Sequence, residues 1–261
     1  MRIGAVQYLN AWPLTFCLAR FAPDAEVVVD LPSRLADGLA QGRLDVALVP
    51  SIERLRIPGA TIVSDACIAS DGPVRSVKLY SRVPLEQVQS LALDEGSRTS
   101  AALTRIWLKE RFAIEPKLQS LPIGASPADC TADAVMLIGD RGMTPLGGDF
   151  RFDFDLGQEW TRWTGEPFVF ALWVARPGLQ LDGLETALAA ARDEGVASLP
   201  EIARQAAPVV GVSEAECLSY LRDNLTFRLD TRQRRGLDLF YQLAARNGLV
   251  SRVGRAQRAP P

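Results

Sequence analysis

Three polar stretches stand where apolar runs stop, and each has the residue types to hold an anion or move a proton. Asn10 follows Ile3–Tyr8, Ser97-Arg-Thr-Ser100 follows Leu91–Leu93, and Gly139-Asp140 follows Ala134–Ile138. Three hydroxyls and a guanidinium between positions 97 and 100, at the expected start of a helix, offer more donors than capping requires. Free N–H groups and the helix dipole favour a carboxylate there, and Arg98 could add a bidentate charge-assisted pair. The plainer reading is an N-cap with a solvated arginine. Asp140 could hold a hydroxyl or exchange a proton, or it could serve only as a cap or an ion-pair partner. Asn10 is expected to cap a helix whose first turn includes Pro13.

The chain contains no histidine. A Ser-His-Asp or Cys-His nucleophile, an imidazole base and the usual histidine metal sites are therefore all excluded. Any chemistry must use carboxylates, tyrosine, lysine, backbone dipoles or groups of the substrate itself. No P-loop, no G-x-G-x-x-G and no acidic metal cluster occurs in the sequence. Asp153 and Asp155 alternate with phenylalanines in Phe150–Asp155 and read as the solvated face of an edge strand. Ser51 is expected to cap a helix and touch ligand, and Ser76 to face a cleft or satisfy backbone. Trp160–Pro167 reads as an aromatic and polar loop, in which Thr164 and Gly165 could contact a ligand.

The elements that would carry these residues alternate along the chain. Strands are expected at Ile3–Tyr8, Glu26–Asp30, Val46–Val49, Ser76–Ser81, Leu91–Leu93, Lys117–Ser120, Ala134–Ile138, Phe150–Leu156 and Phe168–Ala175. Helices should follow Asn10, Ser33, Ser51, Ser97 and Ser126, and from Asp182 the pattern turns helical, with caps at Asp182, Ser213 and Asp230. This is an α/β signature. A faint echo recurs at an offset of about 88 residues, where Leu44–Ser51 resembles Ala132–Gly139 and Asn10 falls on Arg98. Two similar lobes explain it, and so does chance likeness between buried strands.

Gly72–Ser81 and Phe168–Ala175 read as the strands that cross between such lobes. Two crossings, with a helical C-terminal region packed on the first lobe, make the two-lobed fold of type II periplasmic binding proteins, with a central ligand cleft. The expected lobes are 1–76 with 171–250, and 77–170. The tail 251–261 lacks an apolar period and is expected to be disordered.

With 261 residues, 48% of them hydrophobic, the chain can bury a substantial core. A net charge of -2 argues against a nucleic-acid or anionic-membrane surface. Four scattered cysteines without a C-x-x-C pair fit free thiols in a reducing cytosol. Folded structure from residue 2 leaves no room for a signal peptide or anchor, so a cytoplasmic protein is expected, as monomer or homodimer.

Taken together, Arg2–Leu14, Asp71–Ser76, Ser97–Ser100, Ile138–Asp140 and Trp163–Ala171 resemble the chorismate dehydratases of the futalosine route to menaquinone. Glu166, where a leucine is common, and Arg141-Gly-Met143, where small residues are common, depart from the pattern. The resemblance implies a lyase that takes water from chorismate to give 3-[(1-carboxyvinyl)oxy]benzoate, with no metal or nucleotide. It points to Asn10 and Asp140 as catalytic, and to Ser51, Ser76, Ser97, Arg98, Thr99, Ser100, Gly139 and Thr164 as substrate-binding. Asp140, a tyrosinate and the substrate's enolpyruvyl carboxylate remain as bases, with the last favoured. Two other readings stay open: the 1,4-dihydroxy-6-naphthoate synthase of the same route, and a non-catalytic cytosolic protein that binds a small carboxylate.

Overall fold

The computed structural model describes residues 1–181 and 183–250. The expected cap at Asp182 and the expected disordered tail 251–261 lie outside the described residues. Among the described residues, eleven strands form two mixed sheets. The first is built from β1 (Arg2–Val6), β2 (Glu26–Asp30), β3 (Val46–Pro50), β4 (Thr61–Ser70), β10 (Phe168–Ala175) and β11 (Thr226–Arg228), in the order β11-β4-β10-β3-β1-β2. The second holds β5 (Val77–Ser81), β6 (Ser90–Asp94), β7 (Lys117–Leu121), β8 (Ala134–Ile138) and β9 (Phe152–Asp155), in the order β7-β6-β8-β5-β9. The chain leaves the first sheet through residues 71–76 and returns through 165–167.

Five strands of the first sheet repeat the plan of the second. In the first, β1 pairs in parallel with β2 and β3, and β10 runs antiparallel to β3 and β4. In the second, β6 pairs in parallel with β7 and β8, and β5 runs antiparallel to β8 and β9. The echo of about 88 residues therefore maps β1 onto β6 and β3 onto β8. It also makes the segments after β1, β3, β6 and β8 topological equivalents, and these carry Asn10, Ser51, Ser97–Ser100 and Gly139-Asp140.

Burial follows position in the sheets. β3 and β10 are buried at every residue, as expected of central strands covered on both faces. The edge strand β2 leaves Val27 and Val29 exposed. Helices α1 (Trp12–Thr15), α2 (Leu18–Phe21), α3 (Pro32–Ala40) and α4 (Glu53–Arg56) follow the strands of the first sheet. In the second, α5 (Thr99–Phe112) follows β6, α6 (Asp140–Met143) follows β8 and α7 (Leu156–Thr164) follows β9. The C-terminal region contributes α8 (Leu184–Ala197), α9 (Leu199–Val210), α10 (Glu214–Ser219), a π-helical turn at Tyr220–Asn224 and α11 (Thr231–Arg246). At Gly195 a Cβ would fall 1.9 Å from the Pro13 carbonyl oxygen, so only glycine lets α8 approach the segment behind Asn10.

Several expected elements differ in detail. Asn10 does not cap a helix: it sits inside a 3-10 turn, Leu9–Ala11, that begins without a side-chain cap. α3 starts at Pro32, ahead of Ser33, and α4 starts two residues after Ser51 with no capping hydrogen bond. Ser126 caps only a 3-10 turn, whereas Ser213 forms a full capping box and Asp230 caps α11. Trp160–Pro167 is not a loop, because Asp155 caps α7 at Gln158 and Gly165, at φ 74°, ends it. Asp155 is accordingly buried rather than solvated. Its two oxygens also accept from the N–H groups of Val74 and Arg75, at 2.9 and 2.6 Å. Among the described residues Arg75, at φ 61°, is one of two non-glycine residues in the left-handed region, and Asp155 fixes that backbone just before Ser76.

Candidate active site

Between the facing ends of the two sheets lies a small cavity lined from both. Its apolar wall includes Val6, Ile68, Val74, Val77, Ile138 and Phe170. Its polar atoms come from Tyr8, Asn10 and Ser76 on one side and Ser97, Thr99 and Ser100 on the other. An apolar body with a few convergent polar groups suits a flat, oxygen-rich ligand.

Several of these polar groups are held by identifiable contacts. The Tyr220 hydroxyl donates to Ser76 Oγ at 2.7 Å. Asn10 Oδ1 is buried and has no partner among the described residues. Ser97 Oγ accepts from the Ser100 N–H at 3.1 Å, so Ser97 rather than Arg98 supplies the side-chain cap of α5. Thr99 Oγ1 accepts from the Ile52 N–H at 3.2 Å and lies 3.4 Å from Ser51 Oγ, which joins this helix start to the first sheet's side.

Gly139 lines the cavity in a backbone conformation, φ 63° and ψ -152°, that belongs almost solely to glycine. A Cβ there would meet the Tyr8 ring at 2.7 Å. That close approach seats Tyr8 near two carboxyl groups, buried Asp94 at the end of β6 and half-buried Asp140 after β8. Burial pushes both carboxyls above the ordinary carboxylate range. Backbone donors resist the shift: Gly96 N–H reaches Asp94 Oδ1 at 2.9 Å, and Leu9 N–H reaches Asp140 Oδ1 at 3.1 Å. Burial, and then the charges of Asp94 and Asp140, push the Tyr8 phenol up. Tyr220 is likewise raised by burial. A tyrosinate base is thus disfavoured at both positions.

Of the ten site residues expected from sequence, the structure brings Asn10, Ser76, Ser97, Thr99, Ser100 and Gly139 to one cavity. Ser51 lies behind Thr99, buried, with its Oγ donating to the Val169 carbonyl at 2.8 Å. Asp140 stands beside the cavity rather than in its lining, because its carboxylate serves the Leu9 N–H that opens the 3-10 turn. Arg98 corrects the expected anion clamp. Its guanidinium is occupied by Asp37 at 2.7 Å and Glu53 at 3.1 Å, and it does not line the cavity. Thr164 is also displaced from the cleft, since its hydroxyl donates to the Trp160 carbonyl within α7.

Sequence reasoning passed over Tyr8, Asp94 and Tyr220. Asp94 was detectable as the residue ending the Leu91–Leu93 run, as Asp140 follows Ala134–Ile138. Tyr220 carried no signal, being 144 residues from the serine it serves. Among the described residues no group of three or more acids and cysteines is placed to hold a metal ion, and no helix is long and apolar enough to cross a membrane.

A family model described as "Menaquinone biosynthesis" matches residues 1–246. A protein of Thermus thermophilus named chorismate dehydratase is 31% identical over 256 residues, covering 91% of this chain and 93% of its own. One of the same name from Campylobacter jejuni is 28% identical over 177 residues, 66% of each chain. Among solved structures, a protein of Archaeoglobus fulgidus superposes with a TM-score of 0.75 at 15% identity, covering 95% of this chain and 98% of that one. The periplasmic aliphatic sulphonate binding protein of Escherichia coli does so at 0.61 and 16%, covering 97% and 94%. These likenesses establish the fold as that of periplasmic binding proteins.

Proposed function

The chain belongs to the menaquinone-biosynthesis family, and on that premise we propose that it is a lyase that dehydrates chorismate to 3-[(1-carboxyvinyl)oxy]benzoate. The observation that carries the reading is its likeness, along nearly the whole of both chains, to a chorismate dehydratase. The cavity suits that substrate. Chorismate is a ring with two carboxylates and a hydroxyl, and the site offers an apolar slot with hydroxyl and backbone donors at two ends.

In this reading the ring carboxylate sits at the start of α5, among Ser97, Thr99 and Ser100. Loss of the C3 proton sends charge through the ring diene onto that carboxylate, so donors there strengthen as charge accumulates. The C3–H and C4–O bonds break, the ring becomes aromatic, and the proton leaves with the C4 hydroxyl as water. The enolpyruvyl carboxylate is the proton acceptor, held over C3 by Asn10. Support comes from the raised tyrosines and the engagement of Asp140 by Leu9, while the unpartnered Asn10 Oδ1, an acceptor, suits the C4 hydroxyl that leaves. An acceptor built into the substrate has a high effective concentration. Asn10 with Tyr220 and Ser76 would keep the substrate in that pose.

The same reading places the protein in the cytosol, as monomer or homodimer. It divides the chain into two lobes near the expected 1–76 with 171–250 and 77–170, with the return falling at 165–167 because Phe168 and Val169 already pair with β4 of the first sheet. The test is to incubate purified protein with chorismate, without added metal, and follow absorbance and product mass. A benzoate one water lighter than chorismate is expected. Chorismate that binds and stays intact would instead mark a non-catalytic binding protein.

A further inference from the structure

Arg98 was the obvious candidate to hold substrate, and the structure engages it otherwise. Its guanidinium leaves the second sheet's side of the molecule and reaches two acids on the first sheet's side. Asp37 belongs to α3 and Glu53 to α4. The next residue, Thr99, crosses the same seam to Ile52 and Ser51. The start of α5 is thus at once a wall of the cavity and the place where the two sides are tied together.

The tie is built to open without stranding a buried charge. Glu53 is almost wholly buried, with its side chain 4% exposed, and a bare carboxylate there would be costly. It has a second cation, however: Arg56 Nη1 reaches Glu53 Oε1 at 2.9 Å from the same side of the seam. When Arg98 withdraws, Glu53 keeps Arg56. Asp37, with its side chain 47% exposed, returns to water. The cavity is lined from both sheets, so a ligand enters when the two sides part, the hinge motion available to this architecture.

We infer that Arg98 is a positioning residue that latches the two sides shut through Glu53 and Asp37 and thereby sets the Ser97–Ser100 wall around the substrate. It does so without touching the substrate. The inference rests on the cavity being the substrate site proposed above. Removing the latch lowers the closed population, and apparent affinity falls by the same factor.

Kinetics and solution scattering of Arg98→Ala, Glu53→Gln and the double variant test it. Both single variants should raise KM about tenfold if the closed fraction falls to roughly a tenth, with kcat within about threefold of the parent. The double variant should be no worse than the more affected single, because both break one tie. Unliganded Arg98→Ala should show a larger radius of gyration than the parent and shrink to the parent value with saturating 3-hydroxybenzoate. Arg98→Lys should recover part of the effect. Asp37→Asn, at a half-exposed position, should give a smaller shift in the same direction and keeps the test open if Glu53→Gln does not fold. The inference is overturned if Arg98→Ala loses kcat or 3-hydroxybenzoate binding while Glu53→Gln and Asp37→Asn behave as the parent, for Arg98 would then act on the ligand. An unchanged radius of gyration with unchanged KM also overturns it. Scattering does not depend on turnover, so a protein that leaves chorismate intact refutes the proposed reaction while the latch is still decided.

Discussion

Two polar clusters join the sheets on either side of the cavity, and they differ in how completely they are satisfied. At the Arg98–Glu53–Asp37 seam the hydrogen bonds close on themselves, with Arg56 completing the set. Around Asn10, Tyr8, Asp94 and Asp140 they do not. Among the described residues Asn10 Oδ1, Asp94 Oδ2 and Arg141 Nη2 are buried without hydrogen-bond partners, and Arg141 Nε stands 3.7 Å from Asp94 Oδ2. A buried polar atom left unbonded costs about 1–3 kcal/mol, so three in one region mark a place arranged for something other than stability. The lesson is that charge alone did not locate the site. The most conspicuous cation near the cavity belongs to the satisfied cluster, and the unsatisfied one is built from an amide, a phenol, two raised carboxyls and Arg141.

The largest expected effect breaks the comparison at its unsatisfied end. Asn10→Ala should lower turnover of chorismate by about 10²-fold, the scale of losing a reactive pose. Asp140→Asn, which keeps shape and hydrogen-bonding reach, should stay within about tenfold of the parent. A general base would give a loss of about 10²–10⁴. Turnover of both variants under saturating substrate checks this, and a dead Asp140→Asn that still binds chorismate normally would make Asp140 the base.

A smaller effect is expected from the backbone that brings the carboxyls to Tyr8. Gly139→Ala forces a Cβ toward the Tyr8 ring in a conformation that costs about 1–3 kcal/mol for other residues. Its urea midpoint should fall accordingly, with weakened ligand binding. An unshifted midpoint would mean that the 138–140 turn does not hold Tyr8 in place.

The smallest effect sharpens the electrostatic side. The Asp94 carboxyl is raised above its ordinary value of 3.8, first by burial. Between the unfolded and the folded value the native state holds the extra proton, so this group takes away stability as pH rises through that window. Asp94→Asn removes the titration and keeps an acceptor for Gly96. The variant's melting temperature minus the parent's should therefore grow from pH about 4 upward. A difference that is flat with pH would show that Asp94 ionises in the native state as easily as in the unfolded chain.

Much of the frame was legible because it rests on local pattern. The nine expected strands all occur within a few residues of their expected bounds, and the echo between Leu44–Ser51 and Ala132–Gly139 is a true repeat of strand order. What stayed hidden depends on distant partners or broken patterns. β4 was missed because Ser64 and Asp65 interrupt its apolar run and its pairing with β10 is irregular. β11 is three residues long inside a helical region. Six expected site residues reach the cavity because they sit at strand ends, which topology gathers. Arg98 went astray because the acids that capture it lie 61 and 45 residues away, and no local spacing announces them. Asp155 was misread because alternation governs a strand's middle, while its last residue answers to the helix that follows.

A crystal structure with 3-hydroxybenzoate bound tests the account most directly, because it asks which of the two clusters takes the ligand. The expected result is a ring in the apolar slot, its carboxylate at the Ser97–Ser100 helix start, and Arg98 still paired with Glu53 and Asp37. A carboxylate seated on the Arg98 guanidinium with those pairs broken, or a ligand bound outside this cavity, would contradict it.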